Sequence, residues 1–350
     1  MKTQPLLAVI LSAVLFGLSP PLAKLLLKDI SPVGLAGILY LGVFVGLTLY
    51  SWLARLGPPE KRQSPAPLGK KDWGWLAGAV VCGGILAPIC LMTGLTLVSG
   101  FSASLLLNLE GLFTALLAVF FFRESAGPRI WLALGAMTCA GVLLSWEPGR
   151  GDFHITGPLL ILLAMLGWGL DNNFTRNISD KDPIQIARVK GLFAGTASFA
   201  LALALGFKPP LDLTLVYGLG LGALSYGLSL VLFIRALEGL GAFRTGAFFS
   251  LAPFTGACAS FLILREPSGW TMIPATLLMA AGVGLVISER HGHAHRHEHM
   301  IHAHSHTHGD LHHSHRHDGE IIEPHAHEHE HAEIDHIHGH WPDIHHRHGH

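Results

Sequence analysis

Along residues 1–290 the polar positions do not recur at the two- or 3.6-residue period of a half-buried strand or helix. They cluster at the ends of long apolar runs instead. Apolar windows of that kind fall near 6–27, 33–53, 73–98, 100–122, 130–146, 157–177, 183–207, 213–237, 242–264 and 270–288. A bilayer-crossing helix needs about 20 apolar residues. The pattern therefore predicts an all-α membrane protein with ten transmembrane helices. The longest connection, LGPPEKRQSPAPLGKKDW, is Pro-rich and basic, as a solvated loop should be. After residue 290 histidine recurs at nearly every second position, HGHAHRHEHM and onward, with too few apolar residues to fold alone; this tail is expected to be disordered.

Composition agrees with the pattern. The chain is 50% hydrophobic and 13% charged, against roughly 25% charged in soluble proteins. The near-neutral net charge conceals two segments of opposite sign. Residues 1–290 hold 20 Lys and Arg against 14 Asp and Glu, and residues 291–350 hold 3 against 10. Positive charge collects on the cytoplasmic side of membrane proteins. With the N-terminus inside, the inner loops hold Arg55, Lys61, Arg62, Lys70, Lys71, Arg123, Arg129, Lys181 and Arg244, and the outer ones only Lys28, Arg150, Lys208 and Arg265. Both termini are thus expected in the cytoplasm, in a multi-pass protein of a bacterial cytoplasmic (inner) membrane. The start, MKTQPLLAVILSAVLFGLSPPLA, has the look of a secretory signal, but its apolar run continues to Leu27 and reads as a retained first helix. Cys82, Cys90, Cys139 and Cys258 lie in apolar stretches without a CxxC pair and read as small packing residues.

The halves resemble each other. LFGLSPPLAK in the first helix matches GWGLDNNFTR in the sixth, with Lys24 and Arg176 equally spaced from Gly17 and Gly169. SASLLLNLEGLFTALLAVFFFRE in the fourth matches RTGAFFSLAPFTGACASFLILRE in the ninth, both ending on Arg-Glu. Five spans per unit is an odd number, so the second copy enters the membrane inverted. Inverted repeats mark secondary transporters, whose site lies near mid-membrane between the copies. The expected organisation is a first five-helix repeat at 1–147, a second at 148–290 and a His-rich cytoplasmic tail at 291–350.

These motifs, occurring twice in the same order, resemble the drug/metabolite transporter superfamily, EamA branch, over roughly residues 5–288. The resemblance implies a ten-helix inverted-repeat bundle that exports or exchanges a small metabolite, and it leaves the substrate open. The chain departs from the pattern at Phe16, where the second half has Trp168, and at Glu110-Gly111, where the second has Ala252-Pro253.

Polar residues inside apolar windows are the candidate substrate and ion pathway. Glu110, near the middle of its window, should be protonated, paired or facing a wet cavity. It could carry a proton, attract a cationic substrate, or simply bond a neighbouring helix. Asn108 precedes it by two positions. In the sixth helix Asp171 and Thr175, and Asn172 and Arg176, are spaced to share faces; Trp168 opens the motif. In the seventh, Arg188 is placed to neutralise Glu110 or Asp171, to bind an anion, or to reach the interface, beside Gln185 and Lys190. Lys24 is expected to reach headgroups. Pro20-Pro21, Pro88 and Pro253 interrupt helices. Gly191, Gly195, Gly218, Gly220 and Gly222 read as close-packing positions rather than a phosphate cradle. Small-residue faces also allow a homodimer.

No histidine lies in any span, which removes the usual hydrolase dyads, and His154 falls in a loop; the chain is not expected to be an enzyme. Nor is nucleic acid an expected partner, the partners being the lipid bilayer and a small-molecule or ion substrate. Transport requires no cofactor. The other 24 of 25 histidines lie in the tail. Among them His291, His293, His295, His297, His299, His302, His304, His306, His308, His312, His313, His315 and His317 are candidate ligands for Zn²⁺, Ni²⁺, Co²⁺ or Cu²⁺. Their dispersed spacing is unlike an expression tag. Four purposes stay open: collecting a metal cargo, buffering or sensing metal for a metabolite exporter, sensing pH, or none. A membrane-anchored metal store is the non-transport alternative.

Overall fold

The structure, a computed structural model, describes residues 3–55, 68–122, 128–144, 155–178, 181–240, 242–266, 269–288, 292–297, 300–306, 325–331 and 334–339. Up to residue 288 its elements are all helical. In chain order they are α1 (Thr3–Gly17), α2 (Ser19–Leu26), α3 (Pro32–Arg55), α4 (Asp72–Ala79), a π-helical segment Val80–Leu86, α5 (Ala87–Leu97), α6 (Gly100–Leu106), α7 (Leu109–Phe122) and α8 (Pro128–Leu144). Then follow α9 (Thr156–Arg176), α10 (Pro183–Ala204), α11 (Leu213–Leu221), a second π-helical segment Gly222–Leu228, α12 (Ser229–Leu240), α13 (Ala242–Phe249), α14 (Ala252–Leu264) and α15 (Met272–Ser288).

Local chemistry sets the boundaries. Pro20 and Pro21 occupy the first turn of α2, where a missing N–H costs least, and so separate it from α1. Asp182 caps α10 by accepting from the Ile184 amide at 2.9 Å, with Pro183 next in line. Asp212 caps α11 through the Thr214 amide at 2.8 Å. The Thr214 hydroxyl and amide hold its carboxyl below the usual carboxylate range. The ninth apolar window is not one helix but α13 and α14, and the fourth is α6 and α7, each broken mid-window.

Among the described residues, six helical runs are long and apolar enough to cross a membrane: Gln4–Leu26, Pro32–Ala54, Asp72–Leu97, Gly100–Leu117, Pro183–Ala204 and Leu213–Ala236. Three more, Pro128–Leu144, Ala252–Leu264 and Met272–Ser288, are apolar but shorter. The outer surface is oily, with Leu262 73%, Ile273 71% and Leu277 65% exposed, whereas Asp171 and Asn173 are each only 6% exposed. That is the reverse of a water-soluble protein, and it suits hydrocarbon as the solvent.

Glycines set how the helices approach. A Cβ at Gly37 would lie 2.6 Å from the Phe199 nitrogen, one at Gly195 2.6 Å from the Leu41 nitrogen, and one at Gly191 2.9 Å from the Phe44 nitrogen. Residue numbers rise on α3 as they fall on α10, so the two helices run antiparallel with backbones almost touching. Helices α6 and α14 are also antiparallel, with Gly100 against Ser260 and Gly256 against Ser104. Among the GLGLG residues Gly218 and Gly222 face α3, at Ile38 and Leu39 respectively, whereas Gly220 faces open space.

Of the tail, expected to be disordered, the structure describes four short segments, and these are strands. Strands β1 (Gly292–His297) and β4 (Ile334–Gly339) pair antiparallel, as do β2 (Met300–His306) and β3 (His325–His331). Their register sets His293 opposite His338, His302 opposite His329, and His304 opposite His327. Low apolar content argued for disorder, but His-x-His alternation also matches the two-residue period of a strand. The candidate ligands His293, His295, His297, His302, His304 and His306 lie on β1 and β2. His291, His299, His308, His312, His313, His315 and His317 lie outside the described residues, as does His154.

Candidate functional site

The polar residues of α9 meet three other elements. Asp171 projects against the first π segment, where a Cβ on Gly83 would fall on its carboxylate; only glycine leaves the room. The Lys190 ammonium on α10 lies 2.7 Å and 2.5 Å from the two Asp171 oxygens. The side chains of Lys190 and Asp171 are 16% and 9% exposed. Thr175, one turn along, donates to Asp171 Oδ1 at 3.0 Å, so the carboxylate is fully engaged.

On the same helix Asn172 turns to α7. Its amide donates to Glu110 Oε1 at 2.9 Å and to Thr114 Oγ1 at 3.0 Å, and that hydroxyl donates to the Glu110 carbonyl at 2.9 Å. Asn173 ties α9 to α7 as well, donating to the Thr114 carbonyl at 3.2 Å and to the Gly169 carbonyl at 2.8 Å. Glu110 sits in the first turn of α7, just past the break at Leu107–Asn108. At the break the buried Asn108 donates to the Leu105 carbonyl from both its side chain, at 3.0 Å, and its backbone amide, at 3.1 Å.

Aromatic groups close the set. Trp168 Nε1 and Tyr40 Oη both donate to the Gly83 carbonyl, at 2.9 Å and 2.7 Å. The Tyr40 ring centroid lies 6.4 Å from that of Tyr226 in the second π segment. Tyr226 in turn stacks edge-on to Phe16 at 5.6 Å and shares a 2.7 Å hydrogen bond with Ser19. Phe16 and Ser19 stand in LFGLSPPLAK where Trp168 and Asp171 stand in GWGLDNNFTR. Each member of this motif pair therefore engages the π segment of the other half of the chain.

Of the residues expected from sequence, Glu110 and Asn172 meet directly, and Asp171 and Trp168 meet at Gly83. Asn108 stays at the break. Arg188 does not join them; Lys190, two positions later, neutralises Asp171. Lys24, expected at headgroups, instead pairs with Glu266 at 3.6 Å and donates to the Val98 carbonyl. Glu266 caps α6 through the amides of Gly100 at 2.6 Å and Phe101 at 3.0 Å. Tyr40, Gly83, Thr114 and Tyr226 were not candidates from sequence. A tyrosine amid apolar residues, as Tyr40 is, was the signal on offer. Among the described residues no group of three or more His, Cys, Asp and Glu gathers as a metal site.

Comparison with known proteins adds to this geometry. Residues 3–146 and again 155–288 match the EamA-like transporter family. An uncharacterized transporter of Methanothermobacter thermautotrophicus is 30% identical over 295 residues, covering 79% of this chain and 84% of that protein. An uncharacterized protein of Pseudomonas aeruginosa is 29% identical over 296 residues, covering 84% and 98%. A solved crystal structure shares the fold at a TM-score of 0.57 with 17% identity, over 81% of this chain and 96% of the other.

Proposed function

Since the chain belongs to the EamA-like transporter family and is a multi-pass membrane protein, we propose that it exports a small metabolite by alternating access. In this reading, ten spans form two inverted five-helix units, 1–147 and 148–290. The second spans of the two units, α3 and α10, pack antiparallel, as do α6 and α14 from the fourth and ninth spans, and this packing supports an in-plane pseudo-dyad. Each unit also contains a π segment and a broken span at corresponding places, α6 to α7 and α13 to α14, and π segments often mark functional sites.

The observation that carries the reading is the Glu110–Asn172–Thr114 group beside a broken helix, adjoining the Asp171–Lys190 pair. Irregular backbone and a carboxylate at this depth belong where protein or a water-filled route receives them. Here Glu110 carries the coupling proton, Asn172 and Thr114 orient it, and Trp168, Tyr40 and Tyr226 line the route. The paired Asp171–Lys190 fixes α9 against α10. Residues 291–350 hold Zn²⁺, Ni²⁺, Co²⁺ or Cu²⁺ at the cytoplasmic mouth as a buffer.

A strain overexpressing the chain, screened for efflux of amino acids and metals together, tests this. The expected result is efflux of one organic solute that follows the proton gradient. Glu110→Gln, present in membranes at the same level, should reduce efflux to the empty-vector background. Removing residues 291–350 should spare the efflux and abolish zinc bound to the purified protein. Gradient-dependent efflux unchanged in the Gln variant would sink the proton role, and efflux of metal alone would make the metal the cargo.

A further inference from the structure

The repeated motifs end on charges that the proposed route does not use, Lys24 in LFGLSPPLAK and Glu266 in RTGAFFSLAPFTGACASFLILRE. The fold brings these two ends together. Lys24, from the first half, lies 3.6 Å from Glu266, from the second, whereas Asp171–Lys190 joins helices within one half. Lys24 also donates to the Val98 carbonyl, and Glu266 accepts from the Gly100 and Phe101 amides at 2.6 Å and 3.0 Å. The ends of α2 and α14 and the turn between α5 and α6 thus share one polar junction. It serves the start of α6, whose first amides have no acceptor within the helix; Ser99 takes the Ser102 amide at 3.0 Å and Glu266 takes the two before it. Helix α6 then runs seven residues to the break that precedes Glu110. Reaching α6 sets Arg265 in left-handed backbone, φ 49° and ψ 42°, the one non-glycine residue of positive φ among those described. That conformation is unfavourable for a residue with a side chain and persists only where its surroundings hold it.

We propose that Lys24 and Glu266 form a releasable latch between the halves, which closes the face opposite the tail. The carboxylate's bonds to two backbone amides and its pairing with an ammonium are charge-assisted, which makes the closed junction firm. Letting go of the Gly100 and Phe101 amides frees the end of α14, returns Arg265 to ordinary backbone and parts α14 from α2. Water takes over each donor and acceptor as the junction opens. The side chains of Lys24 and Glu266 are 27% and 12% exposed, so both are within its reach. The α3–α10 contact, glycine against backbone, has no such polar partners to hand over and stays closed. The latch rests on the alternating-access reading, since only a carrier needs a face that opens. In that reading α15 separates Glu266 from the tail, and Ser19, in the first turn of α2 and bonded to Tyr226, lies beneath the latch on the way to the route.

Labelling judges the latch without any substrate. With Cys82, Cys90, Cys139 and Cys258 replaced by serine, the reporter is Ser19→Cys, at a position only 2% exposed. A membrane-impermeant maleimide is offered to vesicles of each orientation. Glu266→Gln and Lys24→Met, present in membranes at the same level, should each speed labelling from the face opposite the tail about tenfold or more, the change expected when a charge-assisted hydrogen bond is lost. Asp212→Ala removes the cap of α11 at that face without touching the junction, and should leave the rate alone. A second arm bridges Lys24→Cys and Glu266→Cys with a short reducible cross-linker. Proton-driven efflux should fall to the empty-vector background and return on reduction. Equal labelling with and without the latch substitutions, the same rise with Asp212→Ala, or undiminished efflux from the bridged chain overturns the latch. An unsubstituted chain without efflux sinks the export reading instead, and labelling alone then decides the latch.

Discussion

Lys190→Met should lower the stability of the folded chain by about 3–5 kcal/mol, the usual cost of leaving one partner of a buried ion pair uncompensated. Lys190 meets both Asp171 oxygens and little solvent reaches either side chain. With the ammonium gone, Asp171 keeps only Thr175. Gly83 leaves the carboxylate no space to swing away, since it already occupies the volume a Cβ would need. The double variant Asp171→Asn, Lys190→Met removes both charges and should recover most of the loss, because replacing a whole buried pair is often neutral. Unfolding midpoints of the four members of the cycle, in one detergent, give the coupling. If the two single losses simply add, the pair does not act as a unit.

Gly222→Ala should cost about 2–3 kcal/mol, toward the upper end of overpacking penalties. The new methyl would fall on the Leu39 carbonyl oxygen, and its next neighbours, the Leu39 carbonyl and α carbons, are backbone as well. Helix α3 cannot give way, because Gly191 and Gly195 pin its other side to α10. Gly220→Ala is the internal control. Nothing stands within 4 Å of its Cβ position, and alanine is the better helix former by about 1 kcal/mol. It should be neutral or stabilising. Equal losses at both positions would mean that helix flexibility, rather than close approach, explains the glycines.

Sequence reasoning reached parts of this arrangement and stopped where three dimensions took over. Asp171 and Thr175, four apart, do share a face and a hydrogen bond, since helical period alone sets that. The meeting of Asn172 with Glu110 spans 62 positions, and no local period encodes it. Arg188 and Lys190 lie two apart on one helix, hence on nearly opposite faces. Choosing which one neutralises Asp171 required knowing how α10 turns against α9. The π segments were hidden because VVCGGIL and GALSYGL read as ordinary apolar helix. Their glycines admit Asp171 and Leu39, which only the packing reveals. Pro20-Pro21 and Pro253 were read as interruptions, and each lies in the first turn of a helix just after a break. In the tail the alternation was read, but low apolar content was given more weight than its match to the period of a strand.

Access to Asn172 from each side of the membrane tests the exchange mechanism most directly. With Cys82, Cys90, Cys139 and Cys258 replaced by serine and Asn172 by cysteine, a membrane-impermeant maleimide can be offered to right-side-out and to inside-out vesicles. Alternating access predicts labelling in both, with the favoured side changing when the proton gradient is imposed or collapsed. Labelling from one side only, indifferent to the gradient, would contradict it.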